Sequence, residues 1–126
     1  MKIENLIPKD KLDTETAEKL KQFSYEEVKP IIPNLLEWIQ DMNWPVSRVV
    51  ADYLITISEN LTSEIIDILN GKDEMWKYWT IGVFGIYSEK PLQPEVKEII
   101  IRIANNPSLE EIENEVNLQA INALNK

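Results

Sequence analysis

The chain has neither cysteine nor histidine. Without them there is no thiolate nucleophile, no Cys/His zinc site, no histidine general base and no Ser-His-Asp triad. Glycine is scarce, at three residues, and no P-loop, dinucleotide fingerprint or calcium loop can be traced. "GVFG" falls inside a helical pattern and is no phosphate loop. No cofactor is therefore expected. Apolar runs stay well short of membrane-spanning length. The opening "MKIENLIPKDKLD" has no long apolar segment of the kind a signal peptide needs, so a cytoplasmic location is expected. Positive charge is also in short supply. Lys and Arg number 13 against 22 Asp and Glu, a formal net charge of -9. Such a chain repels nucleic-acid phosphates and anionic membranes. The expected partner is a protein or peptide, with basic ones favoured, and neither nucleic acid nor membrane.

What is present points to helices. With 126 residues, 44% of them apolar, the chain is long enough for one domain with one core, taken as residues 1–126. "LIPKDKLDTETAEKLKQF" reads as an extended lead-in at Leu6 and Ile7. A helix follows, capped by Asp13 or Thr14. Ser24 caps a short turn in "SYEEVKP". Pro30 and Pro33 then confine the next helix to a start near Pro33 and an end near Asp41 or Met42.

"NWPVSRVVADYLITI" opens a second helix. Val46, Val49, Val50, Tyr53, Leu54 and Ile57 fall on one stripe at helical spacing. "NLTSEIIDILNG" is a helix capped by Thr62 or Asn60 and closed by Gly71. "KDEMWKYWTIGVFGIYSEKP" starts at an Asp73 cap and runs as one helix to the approach of Pro91. Trp76, Trp79, Thr80, Val83, Phe84 and Tyr87 form its inner stripe. Gly82 and Gly85 disfavour a helix by roughly 1 kcal/mol each, which close contact with another helix would explain. Val96, Ile99, Ile100 and Ile103 line the next helix. The last helix begins at a Ser108/Glu111 capping box, with Leu109, Ile112, Val116, Ala120 and Leu124 or Ala123 facing inward.

A shift of about thirty residues superposes Leu35 and Leu36 on Ile65 and Ile66, Ile39 on Leu69, Val46 on Trp76, and Tyr53 on Val83. A weaker third copy follows at Ile99, Ile100 and Ile103, then Leu109, Ile112 and Val116. The reading is an all-α, HEAT-like α-α superhelix of about three helical hairpins behind an N-terminal capping helix. Polar outer faces on the first and last helices predict a monomer or weak dimer.

"LLEWIQDMNWPVSRVVADYL" resembles a HEAT repeat through Asp41 at the turn and Val46 and Arg48 on the second helix. The next unit departs from that pattern, with Gly71 and Tyr78 at the Asp and Arg positions. "LIPKDKLD", "LLEWIQDMNWPV" and "WKYW" together are similar to an uncharacterised bacterial family, domain of unknown function 5071. Its members are short, single-domain HEAT-like proteins. The resemblance implies the superhelical fold and no established activity.

The candidate binding set is Trp38, Asp41, Trp44, Arg48, Asp52, Lys77 and Tyr78. Trp38 and Trp44 flank the turn, where aromatics either staple repeats or line a contact surface. Trp76 and Trp79 are expected in the core. Asp41, Arg48, Asp52 and Lys77 sit near the turns and on second helices. There they either pair with neighbouring units or offer a charged surface. Asp41 and Asp73 resemble paired catalytic carboxylates only superficially, since helix capping accounts for both. No catalytic residue is assigned. A binding module is the favoured reading, in a sharper form an immunity-type inhibitor of a basic toxin. Some HEAT-like proteins act on alkylated DNA bases with tryptophans and an aspartate, but the net charge opposes that alternative.

Overall fold

The computed structural model describes residues 2–126. It is all-α, with no strand among the described residues. No helix there is long and apolar enough to cross a membrane. The chain divides into two compact units, Met1–Asn60 and Leu61–Lys126.

The first unit holds α1 (Thr14–Lys19), α2 (Tyr25–Val28), α3 (Ile32–Glu37) and α4 (Pro45–Thr56). Leu6 is fully buried, but on a 3-10 turn, Ile3–Leu6, and not on the extended lead-in expected. Asp13 caps α1 by accepting the Thr16 amide at 3.2 Å. Ser24 and Glu27 form a reciprocal capping box on α2. Pro30 lies in a 3-10 turn and Pro33 in the first turn of α3, where a missing amide costs nothing. α3 runs on into a 3-10 turn, Trp38–Gln40, and the chain becomes extended at Asp41.

Pro45 begins α4, and the Val46 amide donates to the Lys11 carbonyl at 3.0 Å. An otherwise orphaned helix-start donor is thereby satisfied. α4 buries Val46, Val50, Tyr53 and Leu54 and packs on α1. The Tyr53 hydroxyl donates to the Phe23 carbonyl at 2.8 Å, tying the helix to the chain that follows α1.

The second unit holds α5 (Thr62–Leu69), α6 (Glu74–Ile81), α7 (Pro94–Asn105), α8 (Leu109–Glu113) and α9 (Val116–Leu124). α5 pairs with α6 and α7 with α9; α5 also packs on α7, and α6 on α9. Two hairpins are thus stacked helix on like helix. Asp73 caps α6 by accepting the Trp76 amide at 3.0 Å.

Five expectations change here. The long helix through the "WKYW" segment is α6 followed by a π-helical turn, Gly82–Tyr87. Trp76 and Trp79 are half-buried, while Lys77, Thr80 and Ile81 face the interior and Tyr87 faces solvent. The last helix is two helices, broken at Glu115, whose φ is 61°. Leu109 and Ile112 are exposed and Glu111 is buried in their place. The reason lies in helical phase: pointing Glu111 inward turns its neighbours outward. The outer face of the last hairpin is therefore partly apolar, contrary to the polar cap expected.

Gly82 and Gly85 do mark close contact. A Cβ on Gly82 would stand 2.8 Å from Gln119 Nε2, and one on Gly85 only 2.9 Å from the Ala123 Cβ. Both partners are on α9.

Candidate functional site

The turn between α3 and α4 brings two tryptophans together. Trp38 closes α3, and Trp44 is the residue before Pro45. Asp41 shapes the intervening chain: its Oδ1 accepts the Asn43 amide at 2.9 Å, and its carbonyl accepts the Trp44 amide at 3.4 Å. An aspartate that bonds to the backbone two residues on is a recurrent turn former. The Ser47 hydroxyl donates to the Trp38 carbonyl, clamping the first turn of α4 onto the end of the preceding helix.

The two indoles meet edge to face, with centroids 5.7 Å apart and planes at 79°. This geometry sets a ring's positive edge against its neighbour's negative face. Lys11 Nζ lies 5.5 Å from the Trp44 ring centroid, within cation-π range. Beside the pair is a groove of about 260 Å³, lined by Ile7, Asn34, Glu37, Trp38, Gln40 and Trp44. Half-exposed aromatic surface, two amide side chains and one carboxylate share its wall. Chemically it suits an apolar or aromatic side chain with a cation close by.

The seven candidate residues do not form one surface. Trp38 and Trp44 line the groove, and Asp41 holds its turn. Arg48 and Asp52 pair with each other at 3.5 Å along α4, both largely exposed, and neither lines the groove. Tyr78 is half-buried on α6, edge-on to Trp79 with centroids 5.0 Å apart. Of the two roles open to Lys77, pairing with a neighbouring unit or offering a charged surface, it takes the first: it is only 4% exposed and pairs with Glu111. Asn34, Glu37 and Gln40 line the groove without being candidates from the sequence. Asn34, Glu37 and Trp38 lie at i, i+3 and i+4, the spacing of one helix face, and that pattern could have identified them.

Lys77 belongs to a buried ion cluster of the second unit. Its Nζ is 2.9 Å from Glu111 Oε2 and 3.2 Å from Glu74 Oε1. Arg102 approaches Glu111 through both terminal nitrogens, at 2.5 and 3.1 Å. The Ser108 amide donates to Glu111 Oε1 at 2.8 Å. Glu111 is 1% exposed. Burial alone would push its carboxyl up. Hydrogen bonds from Arg102, Lys77 and the Ser108 amide outweigh burial and hold it at about 2, below its ordinary 4.5. At neutral pH this carboxylate keeps its charge and joins α6, α7 and α8. Among the described residues, no group of three or more acidic side chains is placed to hold a metal ion.

Residues 6–124 match the model of a family described as a domain of unknown function, DUF5071. The chain belongs to that family. No curated protein matches it.

Proposed function

We propose that this chain is a non-catalytic, cytoplasmic helical-repeat module of the HEAT-like type that binds a protein or peptide segment at the Trp38–Trp44 groove. The edge-to-face indole pair carries this reading, because it offers rigid, half-exposed aromatic surface next to the Glu37 carboxylate. Aromatic anchors of this kind dominate recognition surfaces, since they supply contact area at little entropic cost. The partner segment presents an apolar or aromatic residue beside a Lys or Arg. The net charge of -9 draws such a segment in over a distance. An inhibitor of a basic toxin is the narrower form of this reading and rests on the same charge. Action on nucleic-acid bases is disfavoured by it.

Selection from a random short-peptide library tests the proposal. Peptides that join an apolar residue to a basic one should be enriched, and Trp44→Ala should release them. Glu37→Arg changes an exposed side chain and spares the fold. It should select against the basic residue. No enrichment, or peptides held equally well by both variants, would remove the groove as the binding site.

A further inference from the structure

The last hairpin carries apolar side chains that the rest of the chain leaves uncovered. Among the described residues, five exposed large hydrophobics are concentrated there: Ile101 on α7, Leu109 and Ile112 on α8, Leu118 and Ile121 on α9. Leu109 is 65% exposed, and Ile112 and Leu118 are each 50% exposed. Leu109 and Ile112 are three residues apart, as are Leu118 and Ile121, so each pair shares one side of its helix. The orientation is enforced. Glu111 is fixed inward by Lys77 and Arg102, which turns Leu109 and Ile112 out. The left-handed Glu115 then restarts the chain so that α9 buries Val116, Ala120 and Ala123 and presents Leu118 and Ile121. Exposed apolar side chains grouped in this way, with a polar rim, mark an interaction surface.

Charge decides what covers it. Residues 103–125 contain no Lys or Arg, while Glu110, Glu113 and Glu115 are exposed around the apolar positions. The cations that bound this stretch are both engaged, Arg102 by the Glu111 carboxylate and Lys126 by the Ser88 carbonyl. A second copy docking through the same face would set carboxylate against carboxylate. Helices also leave no free backbone edge for an added strand. Their side-chain rows receive the ridges of another helix instead.

We propose that the α8–α9 face docks an amphipathic helix of a partner protein, one whose apolar stripe is flanked by Lys or Arg. This face belongs to the second compact unit, and the Trp38–Trp44 groove to the first. The probe is a synthetic peptide of about 18 residues, roughly five helical turns, with Leu along one face and Lys flanking it. A twin carries Glu in place of Lys. Calorimetric titration into the full chain should show the Lys peptide binding and the Glu twin failing to bind. Leu118→Ser and Glu113→Lys alter exposed side chains and should each weaken the Lys peptide about tenfold or more. Trp44→Ala removes only the share of binding that belongs to the groove and should leave the Leu118-dependent binding unchanged. Equal binding of both peptides, binding of neither, or full binding to Leu118→Ser would overturn the proposal. So would a concentration-dependent dimer in sedimentation that Leu118→Ser abolishes, because a second copy would then cover the face.

Discussion

Gly85 sits where α9 allows no side chain, and its neighbour there is the Cβ of Ala123, an atom that cannot swing aside. Gly85→Ala gains about 1 kcal/mol in helix propensity and meets a contact of 2.9 Å. Overpacking of this kind costs about 1–3 kcal/mol, so net destabilisation is expected in urea denaturation followed by circular dichroism. Ala123→Gly in the same chain should restore part of the loss. Gly82→Ala meets only the end of the Gln119 side chain, which is able to rotate, and should cost less.

Glu111 gives the clearest pH dependence. Its carboxyl is held at about 2, against an ordinary 4.5. A depressed carboxylate stabilises the fold fully above 4.5, and that contribution is lost as pH falls from there towards 2. The shift corresponds to about 3 kcal/mol. Glu111→Gln should cost about 3–5 kcal/mol at neutral pH, because it strips a carboxylate from the buried Lys77 and leaves it to Glu74. The same variant should flatten the acid limb of the stability curve. An unchanged acid limb would assign acid sensitivity to other carboxylates.

Helix boundaries follow local chemistry, and that chemistry is legible in the sequence. Asp13, Ser24, Asp73 and Ser108 each cap the helix expected of them, whereas neither Thr62 nor Asn60 caps α5, which starts after Leu61 with no side-chain cap. Pro33 and Pro45 stand in first turns, and the stripe of α4 faces inward as its spacing predicts. Legibility fails where a distant partner sets the phase. Apolar spacing alone places Leu109 and Ile112 inside. Two cations from α6 and α7 capture Glu111 instead, and its ion pairs outweigh two apolar contacts. The same event buries Lys77 and shifts Trp76 and Trp79 to half-buried positions. The π-helical turn is equally hidden, because Gly82 and Gly85 reveal their purpose only once α9 lies against them. Of the candidate groove, the tryptophans are legible and the polar wall is not.

Glu115 is the hinge of α8 and α9, and its left-handed backbone strains a side-chain-bearing residue. Glu115→Gly should stabilise the protein by about 0.5–1 kcal/mol, read as a raised melting temperature, since glycine adopts this conformation freely. A lowered melting temperature would mean that the Glu115 side chain contributes more than its backbone costs.

Over the whole molecule, excess negative charge acts on every surface at once. At a net charge of -9 the folded chain repels itself more strongly than the expanded one. Raising salt from roughly 20 to roughly 200 mM shortens the screening length from about 20 to about 7 Å and should raise the melting temperature. The same charge predicts no retention on heparin or duplex DNA at low salt. Retention would point to a locally basic surface and reopen the nucleic-acid alternative.

The four tryptophans are also shared evenly, Trp38 and Trp44 in the first compact unit, Trp76 and Trp79 in the second. All four are half-buried, so each indole's emission colour depends on how much water reaches it. Each half of the chain therefore carries its own intrinsic lamp. Replacing either pair with phenylalanine darkens one half and leaves the other visible, so their melting can be followed separately without a dye. In the chain that keeps only Trp38 and Trp44, a ligand arriving in the groove announces itself as a blue shift.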